Sequence, residues 1–213
     1  MDNRYLDIAR HYETCYMKNG DNCKGVDWPN ESDARKRYRI MLDIIRFDDK
    51  ADPDSRYSVM DLGCGLGHMY EYMKATGFPH DYSGVDVSDI FVSECRRKFP
   101  DAPFIKLDIL KDDLSSLPCK PDYIIMNGVF TEKCNLSYEE MRTYFEAFIK
   151  KAFELCSMGI AFNVMSKDVD WERDDLFHLP LNELSRYLTK ELTRKYIIRN
   201  DYGLYEYTTY VFK

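Results

Sequence analysis

Short apolar runs alternate with helical stretches along most of the chain. Apolar runs typical of strands occupy residues 57–62, 82–87, 103–107, 123–126 and 160–165. Helical patterns cover residues 1–19, a segment with Tyr38, Met41, Leu42 and Ile45 on one face, residues 66–75, residues 88–99, and the stretches that begin at Ser137 and Pro180. Two further strand-like runs, 195–199 and 204–212, flank a turn at residues 200–203. This order predicts a doubly wound, mostly parallel, Rossmann-like α/β sheet of seven strands that ends in an antiparallel hairpin.

We interpret residues 1–213 as a single domain, because the chain is too short for two comfortable cores. Residues 1–34 combine a helix with a loop, 19–31, that is rich in Gly, Asn, Asp and Pro. We expect this segment to act as a lid over a ligand site, with Trp28 packing on the site. A plain core anchor is the alternative role for Trp28.

Charge and cysteine usage narrow the class of partner. The net charge is −7, which argues against a nucleic-acid partner because phosphates require clustered Lys and Arg. No run approaches the ~20 apolar residues of a membrane span, and the first residues lack the pattern of a secretion signal. Seven cysteines without a C-x-x-C pair fit a reducing, cytoplasmic setting. A homo-oligomer is compatible with this pattern, which leaves the oligomeric state open.

Candidate ligand residues follow three successive strands. The first strand runs into Asp61-Leu62-Gly63-Cys64-Gly65-Leu66-Gly67, the second ends at Asp86, and the third is followed by Asp108. In doubly wound sheets ligands bind at the carboxyl ends of the strands. A carboxylate there can accept hydrogen bonds from both hydroxyl groups of a ribose. The dinucleotide fingerprint G-x-G-x-x-G is absent because His68 stands at its last position. A nucleoside-type ligand is therefore predicted.

The glycine motif with Asp86 and Asp108 in register resembles the class I S-adenosylmethionine (SAM)-dependent methyltransferase superfamily over about residues 35–213. Further segments resemble a group of small bacterial methyltransferases that we know only as uncharacterised, so this resemblance implies no acceptor. It implies SAM as cofactor and S-adenosylhomocysteine (SAH) as product. By this resemblance Asp61 faces the methionine amino group, Asp86 holds the ribose and Asp108 the adenine. The full set of cofactor-binding residues that it implies is Asp61, Gly63, Cys64, Gly65, Gly67, Asp86, Val87, Asp108, Ile109, Asn127 and Arg37, the last as a partner of the SAM carboxylate. A solvated helix arginine is the alternative for Arg37.

Methyl transfer from a sulfonium requires no protein nucleophile, and it requires a base only where the acceptor carries a proton that must leave. Asn127 and Phe130 match methyltransferases that act on nucleobase amines, but Gly128 and Val129 replace their two prolines. We expect no metal at the catalytic site and no divalent metal requirement for activity, because Asn127 stands where a metal-dependent site would place a carboxylate. Asn127, Glu132 and His178 are the candidate catalytic residues, and a structural role is the alternative for His178.

The resulting prediction is a transferase that moves the methyl group of SAM to a small-molecule substrate. The leading hypothesis is an O-methyltransferase in sugar, polysaccharide or secondary-metabolite biosynthesis. The alternatives are an N-methyltransferase acting on a small amine or a protein side chain, and a nucleotide-binding Rossmann protein that uses NAD or lacks catalysis.

Overall fold

The computed structural model describes residues 3–114, 117 and 119–213. Within them the sheet consists of β1 Ser58–Leu62, β2 Asp81–Asp86, β3 Phe104–Lys106, β4 Tyr123–Phe130, β5 Gly159–Ser166, β6 His178–Leu179, β7 Tyr196–Arg199 and β8 Glu206–Phe212. The strand order is β3-β2-β1-β4-β5-β8-β7, and β6 pairs with β5 off this path. The pairs from β3 to β5 are parallel, whereas β8 runs antiparallel to both β5 and β7. The predicted fold class is confirmed.

Helices flank the sheet on both faces. They are α1 Leu6–Asn19, α2 Glu31–Leu42, α3 Ile44–Phe47, α4 His68–Thr76, α5 Asp89–Lys98, α6 Tyr138–Leu155 and α7 Leu181–Tyr187. Short 3-10 turns cover Asn3–Tyr5 and Cys23–Val26, and a π-helical turn covers Leu188–Leu192. The capping box predicted at Ser137 and Glu140 starts α6. No helix in the described ranges is long and apolar enough to cross a lipid bilayer.

Alternation along the central strands divides the core into two layers. Ile124 and Met126 of β4 face the layer that holds α1, α6 and α7. Tyr123 and Ile125 face the opposite layer, which holds α2, α3, α4 and α5. Because each central strand is covered on both faces, these strands are apolar at consecutive positions, as parallel sheets require.

Three details differ from the sequence-based expectation. Strand β4 continues to Phe130 through a register shift after Met126, instead of ending there. An additional two-residue strand, β6, forms inside the long polar segment after β5. The helix that carries Tyr38 ends at Leu42, and a separate turn, α3, follows. Each difference depends on pairing or packing with distant residues, which local periodicity does not encode.

Candidate active site

The glycine loop after β1 is fixed by the neighbouring strand. The amide groups of Gly63 and Cys64 donate to the Val85 carbonyl oxygen at 2.7 and 3.1 Å, and the Gly65 amide donates to Asp86 Oδ2 at 2.8 Å. Because these donors are satisfied inside the protein, the loop offers a ligand close backbone approach and not free N–H groups. Gly63 has a φ of 84°, and a Cβ there would lie 2.5 Å from Val129 Cγ2. A side chain at this position would fill the gap between β1 and β4.

The three acids at the strand ends are held in place. Tyr82 donates to Asp61 Oδ2 at 3.0 Å, and the amide of Ser88 donates to Asp86 Oδ1 at 2.8 Å. Tyr5 donates to Asp108 Oδ2 at 2.5 Å. Burial raises the pKa of Asp61 to about 7, the bond from Tyr82 opposes that shift, and the nearby Asp86 raises it. No cationic side chain pairs with Asp61 among the described residues.

A cleft with about 1060 Å³ of space opens at this edge of the sheet, where the strand order reverses between β1 and β4. The structure brings most of the predicted cofactor residues together in its wall. Those that line it are Asp61, Gly63, Cys64, Gly65, Asp86, Val87, Asp108, Ile109 and Asn127.

Gly67 and Arg37 do not line the cleft. Gly67, at the start of α4, packs against α5, and a Cβ there would lie 3.0 Å from Phe99 and 3.1 Å from the Cys95 sulfur. Arg37 is buried, its Nε donates to both oxygens of Glu206 at 2.9 Å, and its guanidinium lies 4.0 Å from the centre of the Trp28 ring. Arg37 is therefore neither the solvated helix arginine nor a cleft residue.

His178 lies away from the cleft, with both ring nitrogens occupied. Its Nδ1 donates to the Ser166 carbonyl oxygen at 2.6 Å, and its Nε2 accepts from the Arg173 amide at 3.5 Å. The ring is buried in the short pairing of β6 with β5. This geometry corresponds to the structural role. The sequence pattern did not indicate β6, because the strand lies inside a segment with the composition of a polar loop.

Asn127 lies in β4, and Glu132 follows the end of that strand. Asn127 lines the cleft, and its Oδ1 is buried without a hydrogen-bond partner among the described residues. Glu132 is buried just outside the lining residues, where burial, followed by Asp27 and Asp175, raises its pKa to about 7. Burial, followed by the Glu132 carboxylate, also raises the pKa of Tyr12, which does line the cleft.

Residues 3–30, which we call the N-terminal segment, cover the cleft. Besides the bond from Tyr5 to Asp108, Ser88 donates to Glu13 at 2.5 Å and Tyr12 donates to the Gly128 carbonyl oxygen at 3.2 Å. Asp21 bonds to His68 Nε2 at 2.7 Å. The segment thus contacts the carboxyl end of each strand that contributes to the cleft.

Trp28 lines the cleft and packs on Gly128 of β4. Gly128 has a φ of 79°, and a Cβ there would lie 2.7 Å from the Trp28 ring. The Gly128 amide donates to Asn163 Oδ1 at 2.8 Å, and Asn163 Nδ2 donates to Glu206 Oε1 at 2.9 Å. The Arg37–Glu206 pair therefore supports both the tryptophan and the turn on which it rests.

Sequence reasoning missed the cleft residues of the N-terminal segment and of α6. Tyr5, Ile8 and Tyr12 line the cleft from the N-terminal segment, and Tyr144 and Phe148 line it from α6. The helical spacing of residues 5, 8 and 12 is a detectable signal for one apolar face. That signal does not tell which surface the face covers.

The fold and this cleft define a Rossmann-like protein with a site for a nucleoside cofactor. Residues 59–155 match the family model described as a methyltransferase domain. A Mycobacterium tuberculosis protein provisionally named a methyltransferase, Rv1506c, is 29% identical over 174 residues, covering 79% of this chain and 99% of that protein.

Solved structures agree on the fold. Magnesium protoporphyrin IX methyltransferase from Synechocystis with bound SAM superposes with a TM-score of 0.65 at 13% identity, over 100% of this chain and 98% of that one. The plantazolicin methyltransferase BpumL, in complex with a triazolic desmethylPZN analog and SAH, gives a TM-score of 0.65 at 16% identity, over 100% of this chain and 99% of that one. The domain match and the relative identify the chain as a methyltransferase that uses SAM, and its fold is the one found in these solved methyltransferases.

Proposed function

We propose that this enzyme methylates a hydroxyl oxygen of a small, neutral acceptor, in sugar, polysaccharide or secondary-metabolite biosynthesis. The observation that carries the proposal is the chemistry of the acceptor side of the cleft. The three carboxylates of the lining residues are those we assign to the cofactor, and the remaining wall near Asn127 is formed by Tyr12, Trp28 and Val129. An uncharged, partly aromatic wall favours a neutral acceptor over an ammonium ion.

The cofactor supplies an activated methyl group on a sulfonium centre. We assign Asp61 to its amino group, Asp86 to the ribose and Asp108 with Ile109 to the adenine. The N-terminal segment excludes water from the reacting atoms, and orientation of the acceptor is worth up to ~7–11 kcal/mol of the barrier. The buried and unpartnered Asn127 Oδ1 can accept a hydrogen bond from the hydroxyl group that is methylated. Glu132 is the proposed final destination of the proton that this hydroxyl group loses.

The names of the structural neighbours include magnesium protoporphyrin IX and plantazolicin. Since one fold serves unrelated acceptors, these names leave the acceptor of this chain open. N-methylation of a small amine or a protein side chain is the second candidate, because Asn127 Oδ1 could equally accept an N–H group.

Transfer from SAM labelled with ¹³C in the methyl group distinguishes these candidates. The enzyme is offered phenols, sugars, carboxylic acids and primary amines, and the ¹³C shift of the product methyl identifies the atom that received it. We expect O-methyl products, and products labelled only on nitrogen would replace the proposal by the amine alternative. Asn127→Leu should lower turnover by ~10²-fold, whereas Asn135→Leu, at an exposed site, should not.

A further inference from the structure

Three metal-ligating side chains meet on the N-terminal segment, outside the residues that line the cleft. His11 and Cys15 lie one turn apart on α1, and Asp27 follows the Cys23–Val26 turn. His11 Nε2 is 2.9 Å from Asp27 Oδ2 and 3.7 Å from the Cys15 sulfur. One nitrogen, one sulfur and one oxygen donor thus lie within 4.8 Å of one another.

This spacing fits a single tetrahedral cation. Ligands at zinc bond lengths of about 2.0–2.3 Å stand about 3.3–3.8 Å apart, so the three donors need to move by only a few tenths of an ångström to about one ångström. Asp27 is held in position because its backbone has a φ of 57° and its amide bonds to the carbonyl oxygens of Cys23 and Lys24. The site is therefore largely formed before any cation binds.

The surrounding charges favour a cation. The carboxylates of Asp27 and Asp175 repel that of the neighbouring Glu132, and the positive charge of Arg173 opposes this repulsion. A divalent ion would relieve the repulsion among these acids and displace the thiol proton.

We propose that His11, Cys15 and Asp27 bind one zinc-type divalent cation, with water at the fourth position. Binding releases the Cys15 thiol proton to solvent, so the metal–thiolate bond forms as the S–H bond breaks. A thiolate and an imidazole select zinc or cobalt over magnesium.

The cation links two parts of the N-terminal segment, which covers the cleft, to each other. Helix α1 contributes Ile8 and Tyr12 to the cleft, and the loop that carries Asp27 contributes Val26 and Trp28. If the cation holds these parts in the arrangement that covers the cleft, it must raise the affinity for SAH, and SAH must raise the affinity for the cation by the same factor. This coupling rests on the cofactor role of the cleft, whereas metal binding itself does not.

Cobalt(II) added to the purified, metal-free full chain tests the site. We expect one equivalent to bind with the absorption band of a cobalt–thiolate bond. Cys15→Ser should abolish that band, and His11→Asn should weaken cobalt binding at least about tenfold. The controls Cys119→Ser and His80→Asn should retain both the band and the affinity. Absence of one-to-one binding, or a band that survives Cys15→Ser, would overturn the proposal.

Calorimetry with SAH then tests the coupling between cation binding and SAH binding. Zinc-loaded wild-type protein should bind SAH at least about fivefold more tightly than the chelator-treated protein, which is within the usual range of coupling between sites. Cys15→Ser should show no such difference, while circular dichroism checks that it remains folded. Equal SAH affinity with and without bound zinc would refute this coupling, even where cobalt binds as expected.

Discussion

Removing Arg37 should destabilise this protein more than removing any other cation on α2. Arg37 Nη2 lies 2.9 Å from Glu206 Oε2, in addition to the two contacts of Nε. Glu206 is 1% exposed, and after Arg37→Met the bond from Asn163 is the only one that its carboxylate keeps among the described residues. An uncompensated buried charge costs ~3–5 kcal/mol. At ~2–4 °C per kcal/mol for a chain of this size, the melting temperature should fall by about 6–20 °C.

Urea unfolding of a double-mutant cycle measures this cost. Arg37→Met combined with Glu206→Gln removes both charges, so we expect the double variant to recover most of the loss. Arg35→Met is the matched control, because Arg35 is exposed on the same helix and pairs with Glu31 at 3.8 Å. Its free energy of unfolding should change by less than about 1 kcal/mol.

Two results would refute this reasoning. The first is an Arg37→Met variant as stable as Arg35→Met, and the second is a double variant no more stable than the worse single variant. If Arg37 instead held the SAM carboxylate, Arg37→Met would weaken SAH binding without destabilising the cofactor-free protein. Urea unfolding and SAH calorimetry on the same variants separate the two roles.

Four further predictions concern the cofactor, the lid and the base. Asp86→Ala removes two charge-assisted bonds to ribose of ~1.5–3 kcal/mol each, so calorimetry should show SAH affinity reduced at least about a hundredfold. The control is Asp89→Ala, at an exposed site, which should leave SAH affinity unchanged. An unaltered dissociation constant for Asp86→Ala would exclude the ribose role. Because the pKa of Asp61 is raised to about 7 and an ammonium group requires the ionised form, SAH affinity should fall up to ~10-fold per pH unit below 7; the dependence should vanish in Asp61→Asn, and its persistence there would contradict the assignment. Hydrogen exchange of residues 19–31 should slow when SAH binds, and identical exchange would count against a lid. Since both ring nitrogens of His178 are bonded, His178→Asn should cost ~1–3 kcal/mol of stability with near-normal turnover per folded molecule; a ~10²-fold loss of turnover would reinstate it as the base.

Cofactor chemistry was readable from the sequence because its determinants are local. The glycines after β1 and the acids after β2 and β3 each belong to one strand-to-helix junction. Parallel pairing of β1, β2 and β3 brings the carboxyl ends of those strands to one edge. The alternation of apolar and helical stretches therefore predicted both the sheet and the place of the cleft, including Asp61, Asp86 and Asp108 in its wall.

Contacts between distant parts of the chain decided the rest. Arg37 looked like a helix arginine or a cofactor residue until the fold placed Glu206, 169 positions away, against it. His178 could have been a base or a structural histidine on the sequence, and only the pairing of β6 with β5 showed that both ring nitrogens are bonded. The helical face of Tyr5 and Tyr12 was visible, but not the surface that it covers. Local patterns are encoded by neighbouring residues, whereas the partner of a buried charge, ring or helix face is chosen by the packing of the whole chain.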